Sequence, residues 1–529
     1  MCRYRVIRHL LAKKGNQLLL DNKKLEKKLY EMTEQFELVL EQNRYLQEQL
    51  FALQRQMYGR KKEDTPSVDG QTNLFDTDSF KKPEQTGQES QELIEVKSFR
   101  RKKTKGKKAL SLAHLPANHL HYYLEGEDCL CDACGTRMTE IGSTVVREEP
   151  LFIPAHIEKN LFHQHAYKCC ACEKDNGSTP IKKAPVPKPL INNSFGSPTM
   201  VAQTMIEKYV KKVPAYRQEN EWKTFGFPLD RQKITHWHLL ATDYVLSPLY
   251  QLLKETLQNQ EVIHADETHY NVLDVSKATT YYWLYTSGKA EGYPVVLYQH
   301  ELSRKHEVPQ NFLAHFTGYL HSDAYAAYEK MSGVKNVYCW AHVRRKFHEA
   351  IGSQPKKYSI ALLGERYCDL LFKEEKKLRH LDPTDRKKQR DQWIKPIVDE
   401  FFSWASNLCV LSKSKLGEAV AYLLKHKEGL CTFLEDGRLE TTNNRAERAI
   451  KELVIGRKNW LFSKSEKGAQ ATGIILSILR TAVENGLDPR KYLIYLFERI
   501  PNLPSLTKPA LAAYLPWNQE IQEKCRANY

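Results

Sequence analysis

Near the N-terminus, Leu18, Leu25, Met32, Val39, Leu46 and Leu53 recur every seven residues, and Asn22, Leu29, Phe36, Asn43, Leu50 and Met57 follow each of them by four. An unbroken 3.5-residue period is the seam of a coiled coil, with the first set at d and the second at a. One amphipathic helix packed on its own protein is the alternative, and it has no need of so strict a period. Residues 16–58 are therefore read as a coiled coil. Two asparagines at a positions favour a registered homodimer over a larger bundle.

Beyond the seam the composition changes. Residues 59–108 are polar and read as a linker. They end in a basic run that includes Arg100, Arg101, Lys102 and Lys103, either a solvated stretch or a set of phosphate contacts. The whole chain carries 80 Lys and Arg against 64 Asp and Glu, a formal charge of +16. That excess favours a polyanionic partner and says nothing of fold. Nucleic acid is the common answer, double-stranded DNA among its forms, and an anionic membrane the less common one. No apolar run reaches spanning length, so no membrane is expected. Without a secretory signal, the expected location is the cytoplasm.

Residues 109–183 hold two C-x-x-C pairs, Cys131 with Cys134 and Cys169 with Cys172. Two such pairs can give four thiolates to one tetrahedral Zn²⁺, a closed and hence structural site. Cys129 and Cys170 are spare thiols that blur the ligand assignment, and buried unliganded cysteines are the alternative. A Pro-rich connector leads into a helical region over residues 184–260. Its two helices around a Gly-Phe-Pro turn have a helix-turn-helix layout, one shared with many helical connectors.

From Glu261 the pattern shifts to short β-rich segments. Asp266 and Asp323 each fall at the predicted C-terminal edge of a strand, where a rigid sheet can fix a metal ligand. Asp323 could instead cap a helix starting at Ala324. Glu447 lies three residues after Asn444, the spacing of a capping box. A box does not explain the surrounding cations: Arg445, Arg448 and Lys451 at helical spacing, then Arg457 and Lys458. Arg344 and Arg345 are further candidates for DNA contact. Cys339 and His342 form a C-x-x-H pair without a second ligand pair, and His264 reads as a packing residue of its strand.

The motifs HADET at 264–268, HSDAYAAY at 321–328, CWAHVRRKF at 339–347, NNRAERAIKELVIGRKNWLF at 443–462 and NGLDPRKYL at 485–493 resemble those of the insertion-sequence-66 family of bacterial transposases, TnpC type. The coiled coil, the paired cysteines and YRQE at 216–219 follow the same order, so the resemblance spans nearly the whole chain. It implies a multidomain protein of α+β and α/β character. The coiled coil, zinc module and helical DNA-binding region would precede an RNase H-like catalytic core in two parts, residues 261–347 and 440–500. A helical insertion over 348–439 would separate these parts, and 501–529 would form a C-terminal tail. The resemblance also implies a DDE triad of Asp266, Asp323 and Glu447 holding catalytic Mg²⁺ or Mn²⁺. Element-encoded accessory proteins are further expected partners. Two other readings stay open: an RNase H-like nuclease without strand transfer, and a non-catalytic zinc-dependent DNA-binding protein.

Overall fold

A computed structural model describes residues 155–168 and 181–527, apart from 278, 332 and 353–358, with isolated positions at 119, 136, 137, 139 and 142–145. The expected coiled coil, the basic run Arg100–Lys103 and all four paired cysteines lie outside the described residues. The elements below belong to the unit that holds Asn160–Tyr529.

Two exposed strands, β1 (Ala166–Lys168) and β2 (Ile181–Lys183), pair antiparallel as a small ribbon. Four helices follow. In α1 (Pro198–Met205), Ser197 Oγ accepts the Met200 N–H and proline stands in the first turn, where its missing donor costs nothing. Then come α2 (Ala215–Thr224), α3 (Arg231–Ala241) and α4 (Ser247–Gln258). The Gly-Phe-Pro turn between α2 and α3 needs its glycine, because Gly226 has φ +69°. Asp230 then caps α3 by accepting the Lys233 N–H at 2.7 Å.

The sheet is built from β3 (Val262–Tyr270), β4 (Thr280–Ser287), β5 (Val296–Glu301), β6 (Tyr319–Ser322) and β7 (Lys335–Tyr338). Its strand order is β5-β4-β3-β6-β7. β3, β4 and β5 form an antiparallel meander, while β6 and β7 add parallel to β3. β4 is buried along nearly its full length, so both sheet faces are covered.

Three helices pack around β7 and its successor: α5 (Trp340–Ala350), α6 (Ile360–Lys377) and α7 (Lys395–Ser406), joined by α8 (Lys415–Lys425). Their shared core includes Trp340, Phe347, Phe401, Phe402 and Phe433. Burying each such ring contributes about 2–3 kcal/mol. Between Ile360 and Leu434 every regular element is helical.

The chain then returns through α9 (Asn444–Trp460), α10 (Glu466–Glu484) and α11 (Pro489–Arg499). The apolar run Gly473–Leu479 belongs to α10, which covers the exposed edge of β5. Ser477 Oγ accepts the Tyr298 N–H at 2.8 Å and Thr481 Oγ1 accepts the Val296 N–H at 3.0 Å. Hydroxyls on the helix thus satisfy backbone donors that an edge strand would leave open. Residues 501–529, expected as a tail, carry short helices at Lys508–Ala512 and Gln519–Cys525, and Arg526 is bridged back to Leu487.

Candidate active site

The sheet register places the first two acids. In the parallel pairing of β3 with β6, His264 stands opposite His321. Side chains alternate along a strand, so Asp266 and Asp323, each two residues further on, share that face and adjoin one another. Asp266 does not end its strand as the sequence suggests: β3 runs on to Tyr270, carried by its antiparallel partner β4. It is β6 that stops, at Ser322, and Asp323 turns into the space this leaves beside Asp266.

Asp323 is not a helix cap either. The following helix is Ala326–Glu329, flanked by Tyr325 with no side-chain capping bond. Asp323 Oδ1 instead accepts the Tyr325 N–H at 3.1 Å, two residues on, around Ala324 at φ +66°. A non-glycine residue in the left-handed region costs on the order of 1 kcal/mol or more, and such strain clusters at functional sites. Tyr422 Oη fixes the same turn by donating to the Asp323 carbonyl at 2.9 Å.

Glu447 comes from the first turn of α9, where the helix dipole favours a negative group. The capping box read from the spacing does not form. Asn444 is already helical, Asn443 flanks the helix, and neither caps it with its side chain. Glu447 Oε1 is buried without a hydrogen-bond partner, 3.8 Å from His342 Nδ1, which is unpartnered too. Cys339 completes this group: one ligand atom from each of Cys339, His342 and Glu447 lies within 4.8 Å of the others. Burial, then the charge of Arg345, lowers the His342 pKa below the ordinary histidine value and favours the neutral ring.

The acids repel one another. Burial, followed by the charges of Glu267 and Asp323 and more weakly of Glu447, pushes the Asp266 carboxyl well above the usual range; the N–H of Glu267 only partly offsets this. Among the described residues neither Asp266 nor Asp323 has an ion-pair partner. Glu447, whose Oε1 has no hydrogen-bond partner, is close enough to add weakly to the repulsion felt by Asp266. Among the described residues the group close enough to share one ion is Cys339, His342 and Glu447; the carboxylates of Asp266 and Asp323 are hard oxygen donors of the kind that Mg²⁺ or Mn²⁺ takes.

Glu267, the neighbour of Asp266, feels the same acids but has partners of its own. Its carboxylate accepts from Tyr328 Oη at 2.8 Å and pairs with Arg304, whose guanidinium stacks on Tyr325. Its own pKa is raised, by burial first and then by Asp323. Glu440 and Asn443 were not singled out in the sequence, because their contacts arise only when residues far apart in the chain meet.

The predicted DNA-contacting cations divide in two. Arg345 on α5 and Arg448, Lys451 and Lys458 on α9 are exposed. The others have protein partners. Arg344 ties α5 to α6 through Asp369 at 2.7 Å and Glu365 at 2.9 Å. Arg445 lies 3.4 Å from Glu440 and 3.8 Å from Glu484. Arg457 reaches the His269 carbonyl and the Thr268 hydroxyl of β3.

The mixed sheet and the helices packed on it give the chain an α/β core. Comparison with known families is specific. The family model described as transposase IS66 family matches residues 193–471, just over half of the chain. A second, transposase C of IS166 homeodomain, matches residues 45–118, across the end of the expected coiled coil and the whole expected linker. The chain belongs to the IS66 family of transposases. Its relatives include three proteins of Sinorhizobium fredii (strain NBRC 101917 / NGR234), each described as uncharacterized. One, y4hP, is 30% identical over 73% of both chains. A second, y4jD, is 28% identical over 78% of this chain and 83% of its own. The third, y4qI, is 31% identical over 65% of this chain and 66% of its own. Among the described residues no helix is long and apolar enough to cross a membrane.

Proposed function

We propose that this protein is a metal-dependent DDE transposase that cuts DNA at the terminal inverted repeats of an insertion sequence and joins the freed ends to target DNA. The observation that supports the proposal is the mutual electrostatic repulsion of Asp266, Asp323 and Glu447, which come from β3, the end of β6 and the start of α9, with no cation paired to either aspartate among the described residues. The antiparallel meander continued by two parallel strands supports an RNase H-like core.

In this reading Asp266, Asp323 and Glu447 hold the divalent ions. Bound there, Mg²⁺ or Mn²⁺ would activate the attacking oxygen and stabilise the leaving one. Water attacks the phosphodiester at the element end, the P–O bond to the 3′ oxygen breaks, and a 3′-hydroxyl is released. That hydroxyl then attacks a target phosphodiester in line and displaces a new 3′ oxygen. No covalent protein–DNA bond forms. Exposed Arg345, Arg448, Lys451 and Lys458 hold backbone phosphates beside the acids. Arg304 and Tyr328 occupy the Glu267 carboxylate, so that the ligand set stays at three acids.

The remaining assignments belong to the same proposal. Residues 16–58 pair two protomers as a coiled coil, so that both element ends are held together. Cys131, Cys134, Cys169 and Cys172 bind a structural Zn²⁺. That module, Arg100–Lys103 and the 184–260 helices read the terminal repeats, and accessory proteins of the element are further partners.

The test mixes purified protein, Mg²⁺, a labelled element-end duplex and target plasmid. Joined products from wild type, absent with Asp266→Asn, Asp323→Asn and Glu447→Gln, are expected. Cutting without joining in wild type would favour the nuclease reading. DNA binding without chemistry would leave a DNA-binding protein.

A further inference from the structure

The motifs around the two aspartates share a feature the chemistry above leaves unused: each has a histidine two residues before the acid. Both are fully buried. The β3–β6 register sets them face to face, their rings stacked at 4.6 Å between centroids and 5° between planes. Each ring also reaches the segment that leads into α9.

His321 Nε2 lies 2.8 Å from the Glu440 carbonyl oxygen, which can only accept, so that nitrogen carries a proton. His264 Nε2 lies 3.2 Å from Glu440 Oε2, within ion-pair distance. His264 Nδ1 lies 3.0 Å from Asn443 Oδ1. The amide orientation is fixed by its other end, since Asn443 Nδ2 donates to the Ala265 carbonyl at 2.8 Å. Nδ1 of His264 is therefore a donor as well.

Asn443 thus bonds the two residues just before Asp266 and stands immediately before the helix that carries Glu447. Its backbone is held too. The Asn443 N–H points to Cys339 Sγ at 3.1 Å, and Trp340 N donates to the Thr441 carbonyl at 3.0 Å. Residues 440–443 are clamped on one side by the aspartate-bearing strands and on the other by the β7–α5 junction.

We propose that His264, His321, Glu440 and Asn443 are positioning residues that lock the Glu447 helix to the Asp266 and Asp323 strands. They set the spacing at which three carboxylates take up divalent ions. The inference rests on the reading of those acids as the metal site. Repulsion among the acids pushes the helix start away from the strands, and bonds formed two residues back along each strand oppose that drift. Placement errors of even an ångström degrade a metal site whose ligands come from separate elements.

The experiment measures Mn²⁺ affinity by titration calorimetry on the full chain, alongside element-end DNA affinity and melting temperature. Asn443→Ala removes the tie between helix and strand. His321→Phe keeps a stacked ring and deletes the bond to the Glu440 carbonyl. Both are expected to weaken Mn²⁺ binding at the acids at least tenfold while end-DNA affinity stays within twofold. Val398→Ala, a cavity in the helical block far along the chain, lowers the melting temperature without moving Mn²⁺ affinity. The inference is overturned if Asn443→Ala and His321→Phe bind Mn²⁺ like wild type while Glu447→Gln binds it weakly. It is also overturned if the Val398→Ala protein shows the same loss. Unchanged Mn²⁺ binding in Glu447→Gln as well would remove the metal-site reading itself, and this inference with it.

Discussion

Arg390 offers the sharpest quantitative test of how the helical block supports the site. Its side chain is fully buried, and all five of its N–H groups are used. Nε and Nη2 grip the Glu375 carboxylate at 3.0 and 2.5 Å. Nη1 donates to the carbonyls of Phe433 and Asp436 at 2.8 and 3.0 Å, and Nη2 also to that of Leu439 at 2.8 Å. One guanidinium therefore fastens residues 433–439, the strap that delivers Glu440, Asn443 and Glu447. Arg390→Met fills a similar volume but strands a buried carboxylate, left with Arg386 Nε at 3.5 Å, and removes a donor from three carbonyls, of which that of Asp436 keeps the Leu439 N–H. Removing one partner of a buried pair costs about 3–5 kcal/mol. That corresponds to a drop of melting temperature on the order of 5–10 °C in a unit this large. Removing both partners should be gentler: Glu375→Met/Arg390→Met is expected to be more stable than Arg390→Met alone by at least about 1 kcal/mol. Urea denaturation of the two single variants and the double variant measures this. A cost below about 1 kcal/mol for Arg390→Met, or a double variant equal to the sum of the singles, would refute the strap argument.

Other consequences are direct. The raised pKa of Asp266 means that the folded, metal-free protein holds this proton more tightly than the unfolded chain does. Its contribution to stability is full below the ordinary aspartate value, about 3.9, and is lost as pH rises through the folded pKa. In chelator, melting temperature should therefore fall with rising pH more steeply in wild type than in Asp266→Asn; parallel curves would contradict the burial and repulsion assigned to Asp266. Arg345→Ala should lower the slope of log affinity for DNA against log salt by about one, with little change in stability. Arg344→Ala should do the reverse, losing melting temperature because Asp369 and Glu365 lose their partner; salt-dependent binding curves and thermal melts separate the two. At Gly473 an added Cβ would sit 2.9 Å from the Tyr298 carbonyl oxygen and 3.2 Å from the Tyr282 ring. Gly473→Ala should thus prise α10 off β5 at a cost of about 1–3 kcal/mol, read by denaturant midpoint.

The residues that local pattern could place were those whose environment is local. Short β-rich runs located the strands around Asp266 and Asp323. Local pattern also misled. It ended β3 at Asp266, because the antiparallel partner that prolongs the strand to Tyr270 lies ten or more residues away. It offered Asn444 and Glu447 as a capping box, because S/T/N-x-x-E spacing carries no record of His264, which bonds Asn443 from a distant strand. Arg344 looked like Arg345 in the sequence, and only the packing of α6 against α5 tells the paired cation from the exposed one. His264, Glu440 and Asn443 could not be joined from spacing alone, since the bonds between them close a loop of nearly 180 residues. One signal was present and went unused: the repeat of His-x-Asp in HADET and HSDAY, which parallel in-register strands turn into a stacked pair.

The central claim is that Asp266, Asp323 and Glu447 bind the ions that drive strand transfer, and a metal-specificity switch tests it most directly. In Asp323→Cys a thiolate replaces a hard oxygen donor, a poor ligand for Mg²⁺ and a more acceptable one for the softer Mn²⁺. Joined element-end and plasmid products are measured in each metal. The account predicts no strand transfer with Mg²⁺ and recovered product with Mn²⁺, against activity in both for wild type. Strand transfer by Asp323→Cys at the wild-type rate in Mg²⁺ would contradict it.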